Sequence, residues 1–195
     1  MDIKIIFSVI ATFIGVIAFI PYLKDIFSLK TKPHIYTWLI WILTQGTAVV
    51  GILYGGGDWG ALNLIVGLFF LIIVLFFSLR YGTKNITKGD TIILVLALIA
   101  VLIWWQLKQP LISVFMVSVI DTIGYFPSFR KSYQEPWSET LITWFLFAMS
   151  NIFAVLALKE YNLLTLTYLA SITIANCALF LICYFRRRFV PKPLT

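Results

Sequence analysis

Charged residues are scarce in this chain. They make up only 12% of its 195 residues, roughly half the fraction usual in soluble domains, whereas hydrophobic residues make up 61%. Polar side chains are therefore too few to cover a water-soluble globule of this size. The composition excludes a nucleotide-binding domain, a periplasmic receptor domain and any sizeable soluble catalytic domain.

Histidine and cysteine are rare as well. The chain has a single histidine, and its two cysteines, Cys177 and Cys183, lie on poorly matched faces of one apolar run. Without a Cys/His cluster a transition metal would lack its usual ligands. An intramembrane enzyme would need a nucleophile with a base, or paired acids at depth, and Asp121 alone is insufficient. We therefore expect no catalytic residues, no metal and no cofactor.

Long apolar runs account for most of the sequence. Each is close to the ~20 residues that a helix needs to cross a bilayer. We predict seven transmembrane helices, at about Ile5 to Leu23, Ile35 to Tyr54, Trp59 to Leu79, Thr91 to Leu107, Leu111 to Phe126, Thr140 to Leu158 and Leu163 to Phe185.

The basic residues indicate the topology. All 15 Lys and Arg residues except Lys4, Lys108 and Lys159 fall in alternate loops, on one predicted side of the membrane. Because cytoplasmic loops are enriched in Lys and Arg, this predicts a multi-pass cell-membrane protein with its N-terminus outside and its C-terminus in the cytoplasm. The net charge of +7 thus reflects topology, and we expect the lipid bilayer as a partner and no nucleic acid.

One motif occurs twice. Ile20-Pro21-Tyr22-Leu23-Lys24 returns as Phe126-Pro127-Ser128-Phe129-Arg130. After a shorter loop in the second copy, Pro33, Thr37, Trp41 and Leu43 match Pro136, Thr140, Trp144 and Leu146. Both copies run from outside to inside, so the three-helix repeats are parallel and need an additional span between them.

The repeat predicts an all-α membrane protein with two parallel three-helix bundles joined by a linker helix. Residues 1–81 form the first bundle, 82–109 the linker helix with its loops, 110–188 the second bundle and 189–195 a cytoplasmic tail. Parallel repeats related about the membrane normal occur in transporters, which bind solute near the midplane between the two halves.

This 3+1+3 plan resembles the SWEET and PQ-loop (SemiSWEET-like, MtN3) transporter superfamily over about residues 5 to 186. The resemblance also rests on the outside N-terminus and on Pro21 and Pro127, each followed by a basic loop. No Pro-Gln dipeptide occurs, since Tyr22 and Ser128 follow the prolines. The resemblance implies alternating-access transport of a small solute, with sugars first, and it implies that Asn176 of the last helix binds the solute.

The two prolines are candidates for a gate. Each removes one helical hydrogen bond, which frees the carbonyl of Ile17 or Ile123 and allows the helix to bend. We interpret Pro21 and Pro127 as paired hinges of a cytoplasmic gate. The alternative is that they simply end their helices at the membrane boundary.

Asp121 is the one carboxylate inside an apolar run, and its counterpart in the first repeat is Gly15. Burying a charge at the bilayer centre costs about 2.5 to 3.5 kcal/mol on insertion scales, so the carboxyl group needs a proton, a hydrogen bond or water. Two readings stay open. Asp121 is either a proton-coupling or gating carboxylate, or a local hydrogen-bond anchor that holds its helix against the neighbouring helices. Ser118, Thr122 and Tyr125 lie beside it on one helix face.

Tryptophan and amide side chains are candidates for the solute site. Trp41 and Trp144 lie deeper than the interfacial belt where Trp normally collects. Gln45 and Asn151 follow them on the same helices, and an aromatic face with an amide group suits a sugar, a nucleoside or another flat polar solute. We predict a site formed by Trp41, Gln45, Trp144, Asn151 and Asn176. For each amide, the alternative is an interhelical hydrogen bond.

Transport of a small polar solute is the function that these observations favour. Sugars come first by resemblance, and facilitated or proton-coupled transport of a nucleoside-like vitamin or an amino acid is the alternative. A non-transporting membrane receptor or scaffold is the competing class. A continuous midplane cavity would favour transport, whereas a packed interior would favour the receptor. Homo-oligomerisation is left open.

Overall fold

Helices are the only regular secondary structure among the residues that the computed structural model describes. The described residues are 2–30, 33, 35–82, 88–107, 109–134 and 136–192, except for some side chains of the fourth and fifth helices. Two short 3-10 helices, Asp58–Ala61 and Pro136–Ser138, occur beside seven α-helices. The α-helices are α1 (Ile3–Phe27), α2 (Ile35–Tyr54), α3 (Leu62–Tyr81), α4 (Lys88–Leu107), α5 (Pro110–Gln134), α6 (Leu141–Ala157) and α7 (Leu163–Arg186).

Four of these segments are long and apolar enough to cross a membrane: α1, α2, α7, and Asp58–Tyr81, which contains α3. Large apolar side chains also point outward, including Phe13 (66% exposed), Phe76 (71%) and Ile174 (68%). A monomeric soluble protein of this size rarely exposes so much apolar surface to water. Long apolar helices with an apolar exterior are those of a membrane protein.

We call α1, α2 and α3 the first group and α5, α6 and α7 the second group, and the two groups have the same order of internal contacts. In the first group α3 packs against both α1 and α2, and in the second α7 packs against both α5 and α6. Within the described residues, the backbones of α1 and α2 do not approach each other closely, nor do those of α5 and α6; each pair meets only through long side chains, such as the rings of Tyr22 and Trp38. The two groups meet where α1 packs on α6 and where α2 packs on α5, and α4 lies against α2 and α5.

Hydrogen bonds between loops close the end of the bundle that carries the N-terminus. Asp2 caps α1 by accepting from the backbone N–H of Lys4 (3.0 Å). Asn162 caps α7 through a capping box and donates to the carbonyl of Gly55 (2.7 Å) in the turn after α2. That turn needs glycine at position 56, where φ is +78°. We call this the N-terminal end.

The opposite end carries the C-terminus of α7 and is fastened by arginine. The Arg186 Nε donates to the carbonyl of Tyr133 (2.8 Å), and the Arg187 guanidinium donates to the carbonyls of Pro136 (3.1 Å) and Glu139 (2.8 Å). These bonds satisfy backbone acceptors near the end of α5 and in the α5–α6 connection. They bind that connection to α7. We call this the C-terminal end.

Candidate functional site

A cavity of about 80 Å³ lies in the middle of the bundle, between the two groups of helices. Described residues of every α-helix except α4 contribute to its lining. All the side chains proposed from the sequence as solute ligands line it, together with Asp121: they are Trp41, Gln45, Trp144, Asn151 and Asn176. The space exceeds the ~10–15 Å³ that one water molecule needs and is smaller than the ~300 Å³ of drug-sized ligand sites. This conformation therefore accepts only a small solute.

The Asp121 carboxylate is held by two other helices. Asp121 is 2% exposed. Its Oδ1 accepts a hydrogen bond from the Thr44 hydroxyl of α2 (2.6 Å) and one from the Tyr168 hydroxyl of α7 (3.3 Å). These bonds join α5 to both groups and offset part of the cost of burying the carboxyl group.

The hydrogen bonds of Asp121 are those expected of an anchor that holds its helix against the neighbouring helices, but two of the three residues beside it on α5 take no part in them. The Ser118 hydroxyl donates to the carbonyl of Val114 (2.6 Å), and that of Thr122 donates to the carbonyl of Ser118 (2.8 Å), so both bond their own helix. Serine and threonine hydroxyls in helices commonly bond the carbonyl four residues earlier. Asp121 thus anchors α5 to α2 and α7, and not to itself.

A second polar cluster joins α3, α6 and α1. The Asn63 Nδ2 donates to the Asn151 Oδ1 (3.2 Å), and the Ser150 hydroxyl lies 2.9 Å from the Asn63 Oδ1 and 2.7 Å from the carbonyl of Ala11. Gly15 lies against this cluster, because a Cβ there would come within 2.7 Å of the Asn63 Oδ1. The glycine lets α1 approach closely enough for the cluster to form.

The two polar clusters occupy corresponding places. The Asp121 cluster joins α5, α2 and α7, and the Asn63 cluster joins α1, α6 and α3. Each cluster therefore links the first and third helices of one group to the second helix of the other group. At the paired positions a carboxylate stands in one group and a glycine in the other, so the charge is on one side only.

Aromatic rings line the cavity towards the C-terminal end. We define the aromatic layer as Phe19, Trp41, Tyr125, Trp144 and Phe147. Ring centroids lie 5.5 Å apart for Trp41 and Tyr125, 6.3 Å for Tyr125 and Trp144, 6.2 Å for Trp144 and Phe147, and 4.9 Å for Phe147 and Phe19. On each helix these rings lie one to two turns from the polar clusters. The layer separates the clusters from the C-terminal end.

The two predicted tryptophans differ in their hydrogen bonds. The Trp144 Nε1 donates to the Glu139 Oε2 (3.2 Å). The Trp41 Nε1 is buried and has no acceptor among the described residues. A buried donor without a partner costs free energy, and such groups are rare in native proteins. This indole N–H is therefore available to an acceptor within the aromatic layer.

The predicted amides are only partly engaged. The Gln45 Nε2 donates to the carbonyl of Leu64 (2.8 Å), and the Asn176 Oδ1 accepts from the Tyr125 hydroxyl (3.3 Å). Gln45, Asn151 and Asn176 thus all make an interhelical bond of the kind that we considered as an alternative to solute binding. In the described part of the chain, the Nδ2 donors of Asn151 and Asn176 have no acceptor, and both residues line the cavity.

The prolines do not end their helices, so that alternative is wrong. Pro21 lies inside α1, which continues to Phe27, and position 127 lies inside α5, which continues to Gln134. The side chain of Pro127 lies outside the description. A proline within a helix leaves one carbonyl without its helical partner and weakens the helix locally. The hinge role stays a prediction.

Sequence reasoning missed several residues of the two polar clusters. Thr44, Ser150 and Tyr168 were not singled out, and Asn63 was considered too close to the outer end to take part. The Trp41-x-x-Thr44 spacing was available as a signal, because residues three apart share a helix face. Nothing in the sequence shows that Tyr168 reaches Asp121 across the helix interface.

The lining chemistry suits binding. Among the described residues that line the cavity there is no Lys, Arg, His or Cys, and Asp121 is the one carboxylate. No group of three metal-ligating His, Cys, Asp or Glu side chains occurs in the described residues. One acid, free amide donors and aromatic faces can hold a small polar molecule without transforming it.

Comparison with known proteins leaves the site to be interpreted from its geometry. No family model, curated protein or solved structure matches the chain.

Proposed function

We propose that the protein is a membrane transporter that moves a small polar solute by alternating access between its two groups of three helices. The observation that carries this proposal is the central cavity, which is lined by both groups and by all five residues expected to contact solute. A scaffold has no need of a polar cavity inside its bundle, and a receptor differs from a transporter in binding solute without moving it across the membrane. The SWEET-like arrangement of two parallel repeats and a linker, α4, is part of the proposal.

The packing of the groups supports alternating movement. Both have the same helix order, and they meet through the corresponding pairs α1 with α6 and α2 with α5. Two similar halves can rock against each other about a solute site between them. We assign the hinges to Pro21 and Pro127 and the barrier towards the C-terminal end to the aromatic layer.

The topology in the proposal follows the basic residues. We place the N-terminal end outside and the C-terminal end in the cytoplasm, where Arg186 and its neighbours lie. In this orientation the aromatic layer closes the cytoplasmic side of the cavity. Passive facilitation needs no further group, whereas proton coupling would use Asp121.

The experiment is a thermal-shift screen of purified protein with sugars, nucleosides, vitamins, amino acids and amines, followed by uptake of each hit into proteoliposomes. A ligand that binds only the folded state raises the melting temperature in a concentration-dependent way. We expect Asn176→Ala to lower uptake strongly. Ile174→Ala, on the exposed face of the same helix (68% exposed), is the matched control. Specific binding without uptake would refute transport and favour the receptor.

A further inference from the structure

Asp121 has an unused acceptor. Both hydrogen bonds that it receives from described residues, from Thr44 and Tyr168, go to Oδ1. Oδ2 receives none from the described part of the chain, although Asp121 lines the cavity and is 2% exposed. A buried carboxylate is normally paired with a cation or fully hydrogen-bonded. Two donors on one oxygen leave its charge only partly compensated.

The chain supplies no cation to complete the compensation. None of the described lining residues is Lys, Arg or His. In the described residues, the one ion pair is at the N-terminal end, where the Lys159 Nζ lies 3.9 Å from the Asp58 Oδ2 on the surface. Apart from a proton, a positive partner for Asp121 would therefore have to come from outside the chain.

Aromatic faces lie next to the carboxylate. Tyr125 follows Asp121 by one turn on α5, and Trp41 precedes Thr44 by one turn on α2, so each ring shares a helix face with one end of the Asp121–Thr44 hydrogen bond. The Trp41 and Tyr125 ring centroids are 5.5 Å apart. Aromatic faces attract organic cations, most strongly where water is excluded. A carboxylate beside two rings is a site for a positively charged nitrogen.

The amide donors specify the other half of the ligand. The Nδ2 groups of Asn151 and Asn176 are free of described partners and line the same cavity. They can donate to a hydroxyl or carbonyl oxygen but cannot contribute to binding a cation. The ligand should therefore carry an oxygen as well as the charged nitrogen, and it must be small enough for a cavity of about 80 Å³.

We propose that this cavity binds a small hydroxylated organic cation, with its nitrogen between Asp121 and the rings of Trp41 and Tyr125 and its oxygen at Asn151 or Asn176. Movement of this ligand across the membrane rests on the proposed transport function, whereas its binding does not. A neutral sugar would leave the carboxylate without a positive partner. We therefore expect the ligand to be an amino alcohol, with a quaternary or a primary nitrogen, in preference to a sugar.

The test is binding of choline and ethanolamine to the full chain in lipid nanodiscs, measured by calorimetry. The neutral alcohol in which carbon replaces the nitrogen of choline is the third ligand. We expect at least one cation to bind and the neutral alcohol to bind far more weakly. Asp121→Asn keeps the size of the side chain and an acceptor for Thr44 and Tyr168. It should weaken binding of the cation about 30-fold or more, as neutralising one partner of a buried charge pair does.

Asp58→Asn is the matched control, because it removes a carboxylate outside the cavity and should leave binding unchanged. Trp41→Leu is a second variant that keeps the carboxylate, and it should weaken binding of the cation ~3- to 30-fold. Failure of both cations to bind would overturn the proposal. Equal binding by Asp121→Asn would do so as well, and so would equal affinity for the neutral alcohol.

Uptake by the same proteins in liposomes separates this proposal from the transport function. A cation that binds through Asp121 but is not taken up would refute transport and leave the cation site standing. Uptake of a neutral solute that Asp121→Asn does not affect would support transport and overturn the cation site.

Discussion

Replacing Gly15 by alanine should disrupt the contact between α1 and α6. A Cβ at this position would lie 2.7 Å from the Asn63 Oδ1 and 2.9 Å from the Ser150 Oγ. Both distances are shorter than real Cβ contacts, and Asn63 and Ser150 are themselves fixed by hydrogen bonds to Asn151 and Ala11. Either α1 moves away from α6, or the bond between Asn63 and Ser150 breaks.

The expected loss follows from three contributions. Overpacking of a well-packed interior costs about 1–3 kcal/mol, and losing one buried hydrogen bond costs about 1 kcal/mol more. The change from glycine to alanine inside a helix by itself stabilises the helix by roughly 0.5–1 kcal/mol. We therefore expect Gly15→Ala to lower the free energy of unfolding by about 1–3 kcal/mol.

The assay is equilibrium unfolding of the purified protein in mixed micelles with increasing SDS. Gly46→Ala is the matched control, since Gly46 also lies inside a helix and a Cβ there would meet nothing within 4 Å. That variant should be neutral or more stable by up to about 1 kcal/mol. If Gly15→Ala were as stable as Gly46→Ala, the close approach at the Asn63 cluster would play no part in holding the two groups together.

Three further predictions concern the hinge, the aromatic layer and a helix cap. Pro21→Ala restores a backbone N–H inside α1, so it should leave stability unchanged or higher while slowing uptake severalfold; unchanged uptake would contradict a hinge there. Trp144→Leu should weaken solute binding in calorimetry much more than Trp59→Leu, because Trp59 lies outside the cavity lining, and equal effects would make Trp144 a packing residue. Asn162→Ala removes the cap of α7 and should cost about 0.5–2 kcal/mol in SDS unfolding; an unaltered midpoint would contradict the capping role.

Hydropathy predicts the helices of this chain well and their ends less well. The predicted bounds of α2 coincide with the structure, because a Gly55-Gly56-Gly57 turn follows its last apolar residue. In contrast, α5 was expected to end near Phe126 and continues to Gln134. The polar extension is stabilised by contacts from α7, including the Arg186 cation over the Tyr133 ring at 4.0 Å. Such tertiary contacts leave no signal in the local sequence.

Residues that line the cavity can be predicted from the sequence more readily than the side chains to which they are hydrogen-bonded. Trp41, Asn151 and Asn176 stand out because polar or amphipathic side chains are unusual at such depth in an apolar run. The bond between Asp121 and Thr44 could not be predicted, since it depends on the rotation of α5 against α2. Internal repeats narrow the choice of helix neighbours, but they do not determine which side chains meet.

Thiol labelling from each side of the membrane shows whether the cavity opens alternately to the two sides, as we propose. Cys177 and Cys183 would be replaced by alanine and a single cysteine introduced at Thr12, which lines the cavity, or at the adjacent Phe13, which is 66% exposed on the outer surface. We predict that a membrane-impermeant thiol reagent labels the cysteine at position 12 from either side, and that bound solute slows this labelling, whereas position 13 is not labelled from either side. Labelling at position 12 from one side only, or from neither, would contradict alternating access.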